Sequence, residues 1–315
     1  MNEENARGRA FHLIMTDLSD TLATVILRLN IIAGIFIFLF GIVGNCGNIY
    51  VFSRPVYRKT NAGIYLLIAS VASIIQIVHT LLPRILSDGF QISIVQSNDR
   101  YCQSRFIIAG VASLCAISYP CWASFDQYMS TSRNANRRTR WSSKRFVGLS
   151  ILLTIVFWSI LFLPGSIFTR ASNNICIGSH LSISTMYSYG MTPFGYFFLP
   201  ITLLLYFNLG IVKNLRDTSG VVVTNTNKRM ARQVHRMLVP QLIILILSGL
   251  PFVSQTLYGT ITASWSKDEN RQAIENLIGH ITRLSFYLNY MSSFYVHMLT
   301  SSEFRRIIFE RRVCS

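Results

Sequence analysis

Seven separate stretches of this 315-residue chain are long and apolar enough to cross a bilayer, and they fill most of it. A hydrocarbon core of roughly 30 Å needs about 20 residues of helix. Backbone polar groups in lipid must be satisfied within each segment, so such stretches fold as helices. The expected spans are Ile31–Phe52, Ala62–Pro83, Phe106–Tyr128, Phe146–Phe168, Met186–Val212, Met237–Ile261 and Ala273–Leu299. The third is the least apolar, interrupted by Ser118, Ser124 and Asp126, which suits a helix ringed by the other six. The expected fold is an all-α membrane protein, a seven-transmembrane helix bundle.

Charged residues make up only 13% of the chain, against ~25% in soluble proteins. No polar linker divides it, so residues 30–300 read as one domain between a segment 1–29 and a tail 301–315. The first 28 residues carry Glu3, Glu4, Arg7, Arg9, Asp17 and Asp20 and no long apolar run. A cleavable signal peptide is therefore not expected, and the first helix serves as the insertion signal. The net charge of +16 is concentrated in the loops after helices one, three and five and in the tail, which hold 19 of the 29 Lys and Arg residues. By the positive-inside rule those segments are cytoplasmic and the N-terminus is extracellular, the topology of a multi-pass plasma-membrane protein. The basic excess then marks topology and contact with membrane lipids, and a nucleic-acid partner is not expected.

Six cysteines fall at positions 46, 102, 115, 121, 176 and 314. Cys46, Cys115 and Cys121 lie inside helices and read as small buried residues. Cys102 and Cys176 are the two on the extracellular side, where oxidation is allowed, and are each other's only intramolecular partner there. In the tail, Phe304, Ile307 and Ile308 share one side of Ser301–Arg312 and arginines interleave, the pattern of a short amphipathic eighth helix on the membrane surface. Cys314 follows it, either as a lipidation site or as a free thiol. The loop before helix six has an uncharged middle, Thr218–Thr226, and then basic residues at helical spacing that extend helix six beyond the bilayer. Pro120, Pro164, Pro200 and Pro251 lie within spans and mark kinks; Pro200 and Pro251, flanking the long basic loop, are the candidate hinges.

The order of motifs resembles the rhodopsin-like G-protein-coupled receptors, and more loosely the invertebrate FMRFamide-type peptide receptors, over residues 30–314. Helix one carries Gly44-Asn45, with Asn48 one turn on. Cys102 stands 24 residues before Asp126, the family's spacing from its helix-three cysteine to its acidic motif, which reads Asp126-Gln127-Tyr128 here. Trp158 fits the helix-four tryptophan, and Pro200 and Pro251 fit the prolines of helices five and six. Ser293-Phe294-Tyr295-Val296-His297 lies where Asn-Pro-x-x-Tyr belongs, seven residues ahead of Phe304-Arg305-Arg306. Four switch positions depart from the family: Gln127 replaces the motif arginine, Ser73 the sodium-binding aspartate, Gly249 the helix-six tryptophan, and the helix-seven motif loses its asparagine, proline and tyrosine. These changes bear on sodium regulation, the activation relay and coupling more than on the fold.

What the resemblance implies is a receptor for an extracellular ligand, a neuropeptide first, that signals to a heterotrimeric G protein through Asp126, Gln127 and Tyr128. The competing reading, carried by the altered positions, is a seven-helix ligand-binding protein with weak or no coupling. An intramembrane charge is a functional candidate by default. Arg283, deep in helix seven, either contacts ligand or pairs with Asp99, Glu269 or Glu275. Arg84 and Arg105 border the same mouth, and Gln76, His79 and Gln255 could supply hydrogen bonds; three arginines with few acids suggest an anionic ligand. The aspartate by which amine receptors hold their ligand is Ala109 here, and helix seven has no lysine for retinal. No glycosylation sequon occurs. Neither inverted repeats nor a zinc or paired-acid motif points to a transporter or an intramembrane enzyme, and no metal or cofactor is expected.

Overall fold

The computed structural model of the chain describes residues 3–92, 98–132, 134–141, 143–172, 175–178, 185–217 and 225–309. The helices are α1 (Glu3–Phe52), α2 (Asn61–Gly89), α3 (Asp99–Ser130), α4 (Lys144–Ile167), α5 (Tyr187–Arg216), α6 (Asn225–Ile261), α7 (Glu269–Met291), α8 (Ser293–Thr300) and α9 (Ser302–Phe309). Short helices Pro55–Arg58 and Ala135–Trp141 lie in the α1–α2 and α3–α4 connections. An antiparallel hairpin the sequence did not suggest, β1 (Thr169–Ser172) and β2 (Ile175–Gly178), follows α4 and pairs Ala171 with Cys176.

Among the described residues, six helices, α1 to α6, are long and apolar enough to cross a membrane. The chain is a multi-pass helical membrane protein. The expected seventh span is two helices, α7 and α8, meeting at Ser292, and α7 carries Glu269, Arg271, Glu275, His280 and Arg283 along its length. The N-terminal segment is helical from Glu3 and continuous with the first span, because no proline interrupts the chain before Pro55.

Side-chain caps set three of the helix starts. Thr60 Oγ1 accepts from the Gly63 N–H at 3.1 Å, Asn98 Oδ1 from Arg100 at 2.9 Å, and Ser143 Oγ from Phe146 at 3.3 Å. Proline sets the irregular turns. α2 winds as π-helix over Ile77–Leu81 and Ile85–Gly89, on either side of Pro83, and α5 does so over Tyr187–Met191 and Phe194–Phe198, around Pro193 and just before Pro200. A proline has no N–H to give the ladder, and the extra residue per turn absorbs the mismatch. At the other candidate hinge, Pro251, α6 continues without a break, as it does at Pro240.

The third helix is the axis. It packs against α2, α4, α5 and α6, and 56% of its most apolar stretch is buried, against 22% for α1. Its polar residues therefore face protein, as expected. α1 packs instead on α2 and α7, and its approach to α8 is close: a Cβ at Gly47 would lie 2.4 Å from the Phe294 ring. Cys115 and Cys121 are buried as expected, whereas Cys46 is exposed on α1, whose packed face is turned to α2 and α7. The loop centre, the residues after Phe309 and the lipidation candidate Cys314 lie outside the described residues.

Candidate functional site

Cys102 and Cys176 are joined, with 5.5 Å between their Cα atoms, so β2 is fastened to the first turn of α3. A second tie lies beside it, where the Asp99 carboxylate accepts the Ala171 N–H at 2.6 Å. Beneath the hairpin is a cavity of about 470 Å³ bounded by α2 to α7, within the size range of small-ligand sites. Gln76, Arg84, Arg105 and Arg283 line it, four of the six residues expected to meet a ligand. His79 and Gln255 do not. His79 contributes its backbone carbonyl, which accepts from Arg105 Nε at 3.2 Å. Gln255 Nε2 donates to the Glu275 carbonyl at 3.2 Å and faces a neighbouring open cleft between α6 and α7.

Two of the three carboxylates that could have paired Arg283, Glu275 and Asp99, are engaged elsewhere. Glu275 is held by Lys267 at 2.5 Å and Arg271 at 3.0 Å, and its Oε1 also accepts from Tyr258 at 2.7 Å. Arg271 donates to Tyr258 as well, and these two bonds raise its pKa above the usual guanidinium value. Together the four residues clamp the α6–α7 connection, and Asp99 serves the hairpin.

One wall of the cavity is built by an insertion into α4. Pro164 lies near the end of that helix, and the Gly165 N–H beside it donates to the Tyr187 hydroxyl at 3.2 Å. The same hydroxyl donates to the Leu161 carbonyl at 2.5 Å. The α5 tyrosine thus bridges a donor and an acceptor four residues apart in α4, satisfying both.

The floor is aromatic. Phe252 and Phe286 stack at 4.6 Å, Tyr196 meets Phe286 edge-on at 5.8 Å, and Phe286 meets Tyr290 at 5.9 Å. Gly249 stands where the resemblance expects tryptophan, and a Cβ there would lie 2.9 Å from the Phe197 ring. The volume is already occupied. Tyr290 carries the column inward: its hydroxyl bonds Ser113 at 2.5 Å, and its carbonyl accepts from the buried Asn45 at 2.8 Å.

Below it lies a small internal cavity of about 60 Å³, lined by Ser73, Asn289, Gln241 and His297 among others. His297 is fully buried. Asn48 donates to Ser293 at 2.8 Å, so its Oδ1 faces His297 Nδ1 at 3.1 Å, and that nitrogen carries the proton. His297 Nε2 is then the acceptor for Gln241 Nε2 at 3.1 Å. One neutral imidazole joins α1, α6 and α8.

At the basic end Asp126 and Gln127 are both buried. Gln127 Nε2 donates to Asp126 Oδ2 and Asn61 Nδ2 to Oδ1, each at 2.9 Å, so the amide that replaces arginine keeps a bond to the acid. Tyr128 is wedged between α3 and α5, its ring against Gly210 and beside Phe207 at 5.8 Å. α6 is fastened to its neighbours at this end. His235 Nδ1 meets Asn208 Oδ1 at 2.9 Å, Arg229 pairs with Glu303 at 2.8 Å, and Gln233 donates to Ser301 at 2.8 Å and to the Tyr57 hydroxyl. Burial pushes the Tyr57 phenol up to about 12, so it stays neutral and available as a hydrogen-bond partner.

Reading the sequence missed Tyr187, Gln233, Gln241 and Asn208. The available signal was weak: Asn208 and Gln241 are single polar residues inside apolar runs, whereas Tyr187 and Gln233 stand among other polar residues. Trp158, matched by resemblance, is buried and donates to Ser118 at 3.1 Å. Neither a protein-family model nor a curated protein matches the sequence.

Proposed function

We propose that the chain is a rhodopsin-like G-protein-coupled receptor of the plasma membrane, with its N-terminus and hairpin outside and its basic end in the cytoplasm. In this reading α7 and α8 form the seventh crossing, and α9 is the amphipathic eighth helix on the inner surface. The ligand, a neuropeptide by resemblance, enters beneath the hairpin. The observation that carries the reading is one continuous path. A ligand-sized cavity under a disulfide-fastened hairpin is joined by aromatic contacts and the His297 junction to a closed basic face.

A ligand acts by binding one of two bundle arrangements more tightly, which shifts their populations. Here the favoured arrangement moves the cytoplasmic end of α6 outward, bending near Pro251 and the irregular turns of α5. That movement must release Arg229, Gln233, His235 and Gln241 from their partners. The opened face would expose Asp126, Gln127 and Tyr128 to a G-protein α subunit. Differential binding of about 1–3 kcal/mol suffices for such coupling.

Gln127 favours a second reading, a ligand-binding protein that couples weakly or not at all. Its amide makes a weaker bond to Asp126 than an arginine would, and offers no charge to a partner. Dissociation sensors for each α class, screened against a neuropeptide library in cells with surface expression verified, separate the two. Ligand-dependent dissociation in wild type supports the receptor. Silence in wild type with a response in Gln127→Arg supports the weakly coupled protein.

A further inference from the structure

Three guanidinium groups face the cavity beneath the hairpin, and none of its described lining residues is acidic. Asp88 pairs with Arg84 at 3.8 Å, and its single negative charge, which also acts on Arg105 and Arg283 without bonding either, is set against three positive ones. Arg105 donates to the His79 carbonyl at 3.2 Å and the Thr80 carbonyl at 3.5 Å, contacts that hold its position without neutralising it. The Arg84 Nε is buried without a partner. Arg283 makes no ion pair and no hydrogen bond to any described residue. Of the three acids expected as its alternative partners, Asp99 is engaged with the hairpin backbone and Glu275 with Lys267 and Arg271, and Glu269 forms no ion pair with it.

A guanidinium does not release its proton in a protein, so the excess positive charge stays. Holding like charges together away from bulk water is unfavourable, and a folded chain keeps such an arrangement where an anion completes it. Beneath the arginines the wall becomes apolar and aromatic, with Phe106, Phe162, Tyr196, Phe252 and Phe286. The site is cationic above and greasy below.

We propose that this cavity takes a carboxylate joined to an apolar body. The carboxylate sits between Arg84 and Arg283, with Arg105 on the other side of Arg84, and an aromatic or aliphatic group rests on Phe252 and Phe286. Two carboxylate oxygens match the fork of a guanidinium, which a carboxamide cannot do with equal strength. Amidated basic peptides are therefore disfavoured. A peptide with a free, apolar C-terminal residue and a small apolar acid share the required chemistry. The inference rests on reading this cavity as the ligand site of the proposed receptor.

The test uses the full chain in nanodiscs of zwitterionic phosphatidylcholine, so that no lipid anion competes, with thermal unfolding as the readout. Without any ligand, Arg283→Met raises Tm by about 2–4 °C, because it removes an unbalanced cation. A fall in Tm would show that Arg283 has a structural role and overturn the proposal. Phenylbutyrate and the free acid of an acetylated Phe-Leu-Phe tripeptide are then compared with their carboxamides. At least one acid raises the wild-type Tm and its amide does not. Arg283→Lys, which keeps the charge and loses the fork, reduces the affinity of that acid by about tenfold. Equal shifts from acid and amide, an undiminished shift in Arg283→Met, or no shift with either acid overturns the proposal. Which acid gives the larger shift distinguishes the peptide from the small-molecule source. Acid binding without G-protein dissociation in cells leaves this inference standing and sinks the receptor reading. Dissociation driven by an amidated basic peptide does the reverse.

Discussion

At the scale of the residue, the structure depends on polar side chains that complete a helix other than their own. Tyr187 is the clearest, since one hydroxyl bonds both Gly165 and Leu161, on either side of Pro164. Tyr187→Phe keeps the ring and its contacts with Phe106 and Phe162 but removes the hydroxyl's bonds to Gly165 and Leu161. The expected cost is about 1–3 kcal/mol, seen as a lower Tm of the purified chain. An unchanged Tm would mean that the bridge contributes nothing. Such partnerships are hard to read from sequence. Tyr187 and Gly165 are 22 positions apart, and only the packing of α5 on α4 brings them together. The arginines were more legible, because a charge inside an apolar span announces itself without knowledge of its neighbours. Even so, the sequence left Arg283 open between a ligand and three acids, and only coordinates show two of those acids engaged elsewhere.

At the scale of the element, the spans were legible because lipid demands long apolar helices whatever their packing. The helices α1 to α6 appear within a few residues to a turn or two of their expected spans, apart from the N-terminal extension of α1 and the basic extension of α6, the latter expected. Hinges were less legible. Pro83 marked the end of an expected span and Pro193 passed unremarked, yet the π-helical turns gather around them, while α6 passes Pro251 unbroken. A proline's local effect depends on whether the next turn can widen, which sequence does not reveal. The break at Ser292 falls where the helix-seven motif was expected, with no proline present. The hairpin is the element whose attachment can be tested alone. The Cys102–Cys176 bond spans 74 residues, worth about 4 kcal/mol in the chain-entropy account. Cys102→Ser and Cys176→Ser are each expected to lower surface expression severalfold by cell-surface labelling. Normal expression of both would show that Asp99 and the strand pairing hold the hairpin unaided.

At the scale of the molecule, two ends are joined by one column and differ in how they are closed. The hairpin end is closed by a covalent bond and an open cavity lies under it. The basic end is closed by reversible contacts, among them Arg229–Glu303, Gln233 with Tyr57 and Ser301, His235–Asn208 and Gln241–His297. In the proposed receptor that asymmetry keeps the outer frame fixed while α6 leaves its reversible contacts. His297 occupies the middle of the path, and His297→Phe is expected to remove the contact between α8 and Gln241 while keeping an aromatic ring. It should raise ligand-independent signalling, and a variant as quiet as wild type would place the junction outside the path.

The most direct test needs no ligand. Arg229→Ala with Gln233→Ala removes three of the contacts that hold α6, the exposed Arg229–Glu303 pair worth under about 1 kcal/mol and the two Gln233 bonds about 1 kcal/mol each. Basal G-protein dissociation, compared with wild type at matched surface expression and across all α classes, should rise by about 5- to 30-fold. No rise with any class, from a variant that reaches the surface, would contradict the claim that these contacts restrain a signalling movement of α6.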